Sequence, residues 1–331
     1  MSQNQNQSED KPKKVKLIYN PHAGRKRSLF AKGKSVSLED IKGLLEQYHI
    51  PVDYAPTKRP GHATELAKES INEGYNLVLA AGGDGTISEV ANGLVNSDMT
   101  LGLLPMGSFM NIARMLSIPR DLEKAIALIK IGRTRKIDVG VVTKLDGEKL
   151  STPSYFLEGA GIGIEANFQH KFLDFERGNK KALIDLFHTL ADTYNHPVKI
   201  YLDDEEMETK AIMVTVSNGP FTGAALELAP KAKLNDHKLT VSLFKMTKLE
   251  LAKYFLHMKR NNKTYSPKIK TYQASKVKLI TGRDSIIHAD ARVFGTTPAE
   301  FKILPSALNV ITGFPKPGFD KALLKRTLLD S

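Results

Sequence analysis

Hydrophobic positions fall into two textures along the chain, and the change comes near Lys136. Before it, short apolar runs alternate with segments whose apolar residues recur every three or four positions. Val15 to Tyr19 reads as a buried strand entering a turn at Asn20-Pro21. Ile41, Leu44 and Leu45 mark a helix over Asp40 to Tyr48, and Val52 to Tyr54 is a short extended segment. Pro60-Gly61 breaks the chain before a second helix, Ala63 to Ile71. Asn76 to Ala81 is a strand running into Gly82-Gly83-Asp84-Gly85-Thr86, after which Ile87, Val90 and Leu94 share one helix face. Leu101 to Leu104 is a further strand, ended by Pro105. Such alternation predicts an α/β domain with a mostly parallel sheet.

Beyond Lys136 strands dominate: Ile137 to Lys144, Tyr155 to Ile164, Val198 to Leu202, Ala211 to Ser217, Leu239 to Phe244, Val277 to Ile280 and Ser285 to Val293. Two helices interrupt them, about Lys181 to Tyr194 and about Lys248 to Met258. This half is expected to be an antiparallel β-rich sandwich. The acidic run Asp203 to Glu206 sits between two strand patterns and reads as a solvated hairpin tip.

Composition narrows the classes. With 331 residues, 41% of them hydrophobic, the chain can bury a sizeable core, and two domains are expected. No cysteine is present, which excludes disulfides and thiolate metal sites. No apolar run approaches the roughly 18–20 residues that a membrane span needs. Residues 1–12 are Gln-, Asn- and Ser-rich, lack a signal-peptide core and are expected to be a disordered tail. A cytoplasmic protein is the expectation. The formal charge of +12 favours anionic partners, either phosphates or anionic lipid. No RRM, zinc-finger or helix-turn-helix signature occurs, so nucleic acid is not an expected partner.

The chemistry concentrates where strands end. In Gly82-Gly83-Asp84-Gly85-Thr86 the glycines let backbone approach a phosphate, and the N–H groups of the following helix face the anion. Asp84 is a candidate Mg²⁺ ligand and Thr86 a donor to phosphate oxygen. Asn20-Pro21-His22-Ala23-Gly24 and Gly107-Ser108 follow other strands, and in an open α/β sheet such loops gather at one crevice.

The segments IYNPHAG, TKRPGHATELA, AAGGDGTISEVANGL, LGLLPMGSFMNIARMLSIP, ELAPKAKLNDHKLTV and HADARVFGTTPAEFKILPSAL, in that order, resemble the bacterial diacylglycerol kinase family. More distantly the chain is similar to sphingosine and ceramide kinases and to NAD kinase. The resemblance implies that Asn20, Pro21, His22, Ala23, Gly24, Thr57, Gly82, Gly83, Asp84, Gly85, Thr86, Glu89 and Ser108 surround ATP. It implies an ATP-binding domain over residues 13–135, rejoined by about 306–331, and a lipid-substrate domain over 136–305. The implied reaction transfers the γ-phosphoryl group of ATP, with Mg²⁺, to a lipid hydroxyl.

Three departures from the family pattern stand out. Where the family usually has Gly-Thr-x-Asn-Asp-Phe-Ala-Arg, this chain has Gly107-Ser108-Phe109-Met110-Asn111-Ile112-Ala113-Arg114, an amide replacing a carboxylate at Asn111. Where the family favours Asp-Asp-Gly at a metal loop, the chain has Asn235-Asp236-His237, which leaves Asp236 as the candidate ligand and His237 as a solvated turn residue. The family's Asp-Gly-Glu, whose Glu is the general base, becomes Asp290-Ala291-Arg292. A guanidinium does not deprotonate at working pH, so Arg292 is instead a candidate stabiliser of phosphate charge. Asp290 becomes the candidate for orienting or deprotonating the acceptor, with His288 expected on the same strand face as Asp290 and Arg292.

Membrane access without an anchor would be peripheral. Lys253, Lys259, Arg260, Lys263, Lys268 and Lys270 interleave with Tyr254, Phe255, Tyr265 and Tyr272, a mixture suited either to an anionic membrane surface or to a basic segment with core aromatics. The leucines at Leu323, Leu324 and Leu328 are expected to pack on the first domain. Three function classes result: a lipid kinase, a kinase of a soluble substrate such as NAD, and a nucleotide- and lipid-binding relative without turnover.

Overall fold

In the computed structural model, residues 14–23, 37–146, 149–150, 153–163, 195–223, 225–261, 266–290 and 292–314 are described. The expected tail, Gly24, the helix over 181–194, Lys263, Tyr265, Ala291 and the leucines from Leu323 onward lie outside them.

The alternation of the first half folds as its pattern requires: β1 (Val15–Tyr19), α1 (Leu38–Gln47), β2 (Asp53–Pro56), α2 (His62–Asn72), β3 (Leu77–Gly82), α3 (Asp84–Leu94) and β4 (Thr100–Pro105). β2, β1, β3 and β4 pair side by side, all parallel. β3 is buried along its whole length, as befits a central parallel strand. Ser37 and Asp40 form a reciprocal capping box that starts α1.

Two helices follow that the apolar spacing does not announce, α4 (Asn111–Met115) and α5 (Leu122–Ile131). α4 is a single turn and too short to show a period. In α5 the five consecutive residues from Ala125 to Ile129 are buried, which erases the helical signature. Its ends are nonetheless marked, by the Asp121 cap and by Gly132 at φ 70°.

The second half comprises β5 (Thr134–Asp146), β6 (Lys149–Leu150), β7 (Ser154–Phe156), β8 (Gly159–Ile162), β9 (His196–Leu202), β10 (Glu205–Ala211), β11 (Met213–Ser217), β12 (Leu239–Phe244), α6 (Lys248–Asn261), β13 (Ile269–Ala274), β14 (Lys276–Thr281), β15 (Ile286–Ala289), β16 (Arg292–Thr296) and β17 (Ala299–Ile311). β13, β8, β11, β12, β15 and β16 make one antiparallel sheet, ordered β13-β12-β11-β8-β15-β16. The other sheet runs β10-β9-β14-β17-β4-β3-β1-β2, with β5 alongside β17. Ile200, Leu279 and Phe301 from one sheet meet Val214, Val241 and Ile287 from the other in a shared core, which is the expected sandwich.

β17 joins the halves. Its start pairs antiparallel with β14, and its end pairs parallel with β4. β5 accompanies it throughout, with a register shift between Leu304 and Leu308.

Two expected strands are each broken in two. The run from Tyr155 to Ile164 is interrupted at Leu157-Glu158, and the run from Ser285 to Val293 folds into a hairpin about Asp290, which has φ 42°. The acidic run does form the β9–β10 tip: Asp203 sits at φ 51°, and its carboxylate accepts the N–H groups of Ser275 and Lys276.

Phe156 lies fully buried across Gly140, where a Cβ would come within 2.2 Å of the ring. Phe156→Ala should therefore remove about 3–5 kcal/mol of stability, read as a lower urea midpoint. An unchanged midpoint would show that this ring is not part of the supporting core.

Candidate active site

The loops after β1, β3 and β4 meet at one crevice of about 550 Å³. β3 delivers Gly82 to the sheet end, where its carbonyl accepts the Met106 N–H at 2.9 Å. Gly83 then caps α3, whose first N–H groups are open toward the crevice. A Cβ on Gly107 would lie 2.6 Å from Gly83 Cα, so the two loops approach this closely only because position 107 is glycine. On the far side Asn20 donates its N–H to Ala81 O, and its carboxamide oxygen accepts from His22 N at 2.9 Å.

Of the expected nucleotide ligands, Asn20, His22, Ala23, Thr57, Gly83, Gly85, Thr86, Glu89 and Ser108 line this crevice. Pro21, Gly82 and Asp84 are not among its lining residues. Lys58 and Arg59 also line it, and sequence reasoning missed them as individuals. Their signal was two adjacent cations after a strand end, immediately before Pro60. Arg120 braces the other wall, with its guanidinium donating to Ser108 O and to Phe109 O, the latter at 2.7 Å.

Asp84 faces the start of α4: its carboxylate accepts from Ile112 N at 3.1 Å and from the N–H groups of Asn111 and Met110. Burial pushes its carboxyl up, while those donors and Arg120 oppose the shift. Glu158, which the sequence reading did not single out, is buried beside it. Its Oε2 accepts Asn111 Nδ2 at 2.9 Å and Gly223 N at 3.0 Å. Burial, then repulsion from Asp84 and Asp290, holds its carboxyl well above the usual range.

Asp290 closes the trio. Its Oδ2 accepts from Ser88 Oγ and Leu157 N, both at 2.8 Å, and its Oδ1 from Glu158 N at 2.8 Å and Gly159 N at 3.3 Å. Burial raises its carboxyl against the pull of these donors.

Residues 14–142 match the description "Diacylglycerol kinase catalytic domain", and residues 159–312 match "YegS C-terminal NAD kinase beta sandwich-like domain". The chain thus pairs a diacylglycerol kinase catalytic domain with a NAD kinase-like C-terminal sandwich domain. A diacylglycerol kinase of Staphylococcus epidermidis is 28% identical over 322 residues, covering 95% of this chain and 96% of that protein. One of Staphylococcus saprophyticus is 26% identical over 309 residues, covering 91% and 95%. The crystal structure of a diacylglycerol kinase from Bacillus anthracis shares the fold with a TM-score of 0.68 at 24% identity, covering 91% and 97%. Yeast NADH kinase in complex with NADH gives a TM-score of 0.51 at 12% identity, covering 97% and 89%. This chain is thus a phosphotransferase of the diacylglycerol kinase type.

For this kinase three expectations change. Asp290 is not placed as a base: both oxygens are filled by four donors, so it fixes backbone rather than facing an acceptor. His288 and Arg292 do not share its strand face, because the chain turns at Asp290; His288 pairs across from Val293, and Arg292 from Ala289. Arg292 instead reaches toward Glu89, Nη1 to Oε1 at 3.9 Å.

The Asp236 loop does not fit a metal ion. Asp236 Oδ1 accepts Lys238 N at 3.2 Å, and the loop's buried acid is Asp138. Asp138 accepts His237 N at 2.8 Å, lies 2.9 Å from His237 Nδ1 and accepts Ser306 N at 2.8 Å. His237 is a partner of Asp138 rather than only a solvated turn residue. Among the described residues no group of three or more His, Asp or Glu converges as a metal site.

A carboxyl whose folded pKa is raised contributes stability below its unfolded pKa of about 4.5 and loses it as pH climbs toward the folded value. Glu158→Gln keeps an oxygen acceptor for Asn111 and Gly223 but carries no charge. Its melting temperature should match wild type near pH 4.5 and exceed it at pH 8. An equal gap at both pH values would mean that Glu158 carries no buried charge.

Proposed function

We propose that this kinase transfers the γ-phosphoryl group of ATP, with Mg²⁺, to the hydroxyl of a lipid alcohol held between the two halves. The observation that carries the reading is the crevice itself, where three strand-end loops and the open N-terminus of α3 converge beside Lys58 and Arg59. Such a site suits a polyphosphate. Triphosphate charge would rest on the α3 N–H groups, Thr86 and the two cations.

Mg²⁺ fits one place in this donor set. Mg²⁺ is commonly bound through one or two carboxylates and substrate phosphates rather than by an all-protein cage. Asp84, at the head of α3 and with neighbouring acids left uncompensated, is the residue that would hold it. The ion would offset phosphate charge when bound.

Glu89 is the carboxylate for the acceptor's proton. Among the described residues it is the sole acid lining the crevice, and Arg292 approaches it from the sandwich half. The Arg292 guanidinium stands where it can meet the transferring phosphate. His288, with its imidazole pKa lowered by burial, stays uncharged at neutral pH.

Approach to a membrane is supported by charge and by exposed apolar groups. Ile286 and Val293 are exposed on the β15–β16 hairpin, and Lys253, Lys268 and Lys270 are exposed on α6, before β13 and in β13. The aromatics nearby argue for core instead: Phe255 is buried, and Tyr254 packs edge-on to Phe244 at 5.9 Å. Among the described residues no helix is long and apolar enough to cross a membrane.

The deciding assay follows ³²P from γ-labelled ATP and Mg²⁺ into a panel of lipid alcohols in mixed micelles, with NAD as a soluble control. Labelled lipid is expected; label in NAD alone, or none anywhere, overturns the reading. Asp84→Asn should lower turnover about 10³-fold or more with the fold retained by circular dichroism. Glu89→Gln should lower kcat by about 10²–10⁴-fold while leaving the KM for ATP nearly unchanged. A Glu89→Gln enzyme with wild-type kcat would place the base elsewhere.

A further inference from the structure

Among the described residues, Lys58 and Arg59 are the lysine and arginine side chains that line the crevice. Arg59 is gripped by an acid that does not itself line it. The Arg59 Nη2 donates to both carboxylate oxygens of Glu65, at 2.9 and 2.7 Å. Glu65 stands in the first turn of α2. The contact occupies one of the three guanidinium nitrogens. Nη1 and Nε, which carry three of the five N–H groups, donate to nothing among the described residues. The two side chains are 60% and 47% exposed, and an ion pair so open to water adds little to the stability of a fold. Its consequence lies in where it keeps the guanidinium.

The backbone under that pair is fixed at several points. Thr57 donates its N–H to Tyr19 O at 2.9 Å, and Lys58 donates its N–H to His62 Nδ1 at 3.1 Å. The Arg59 carbonyl accepts the His62 N–H at 3.2 Å, Pro60 restricts the next φ, and Gly61 at φ 82° turns the chain into α2. Helix α2 is in turn bonded to α3: Thr64 Oγ1 donates to Glu89 O at 2.8 Å. The Glu65 carboxylate is therefore carried on a support joined to the helix whose open N–H groups face the crevice. A free arginine loses much of its rotamer freedom when it grips an anion. An arginine already tethered by one nitrogen loses less.

We infer that Glu65 is a positioning residue for the phosphate donor: it holds the Arg59 guanidinium at the crevice before the nucleotide arrives, with Nη1 and Nε free to meet a phosphate oxygen. Arg59 recognises the phosphate chain by oriented N–H groups, whereas Lys58 offers a point charge. Glu65 acts only through Arg59 and touches no nucleotide atom. The inference rests on the ATP reading above and adds to it a residue outside the cavity.

The test measures the Kd of fluorescent methylanthraniloyl-ATP with Mg²⁺, and the KM for ATP against kcat with dioleoylglycerol in mixed micelles. Arg59→Ala should weaken nucleotide binding about 10–100-fold, the value of hydrogen bonds to a charged group. Glu65→Gln should weaken it about 3–10-fold, the cost of ordering one long side chain anew. Both variants should raise the KM for ATP by the same factors, with kcat at saturating ATP and the melting temperature kept. The double variant Arg59→Ala/Glu65→Gln should bind no worse than Arg59→Ala alone, because Glu65 has nothing left to position. Unchanged binding in Glu65→Gln, or a loss that adds to that of Arg59→Ala, overturns the inference while leaving the ATP reading intact. Tighter binding in Glu65→Gln also overturns it, since the acid would then be holding Arg59 away from the nucleotide. A wild-type protein that does not bind the fluorescent nucleotide overturns both.

Discussion

The arrangement depends first on one carboxylate. Asp290 reaches from the sandwich hairpin to Ser88 on α3, and in the same stroke ties down the backbone of Leu157, Glu158 and Gly159. A buried ion is tolerated only when its lone pairs are filled, and this one is. Three consecutive N–H groups that leave the ladder between β7 and β8 would otherwise be orphans. Remove the acid and the break in the strand loses its reason. The α3 wall of the crevice would then be tied to the other half chiefly through Asn92, which exchanges hydrogen bonds with the Tyr155 backbone.

That structural duty redistributes the chemistry around it. An Asp whose two oxygens are filled by four donors has no free edge to turn toward an acceptor, and a guanidinium is no base. Glu158 is held protonation-prone by burial and by its acidic neighbours, while Glu89 faces the crevice with a cation approaching it. The same local rule explains the quiet Asp236 loop: the buried acid there, Asp138, is occupied by an imidazole from the αL position of His237.

Much of this was legible in the residues. Period and punctuation gave the parallel half almost element for element, because a strand such as β3, ending on glycines, announces both its burial and its turn. Most of the residues that line the crevice followed from the same loops. What escaped had physical causes. α5 is buried on successive positions and so lost its period. β17 was hidden because its pattern changes partners midway, with Ser306 at φ 50° interrupting the alternation. The face shared by His288, Asp290 and Arg292 was misjudged because a left-handed Asp resets the alternation of two, and nothing in a single sequence marks an Asp as the residue that will turn. Glu158 was unreadable for another reason: one acid among apolar neighbours looks like surface until the partners that surround it are known.

The ribbon of β5 and β17 has a mechanical consequence. Hinged enzymes close by concentrating large φ/ψ changes in a few residues of an unpaired connection. Here both strands cross between the halves inside a hydrogen-bonded ladder, and their one irregularity, at the Leu304–Leu308 shift, is pinned by the Ser306 N–H on Asp138. A wide swing would have to tear that ladder. The two halves therefore flex as a bent spring does, by small strains shared along the sheet.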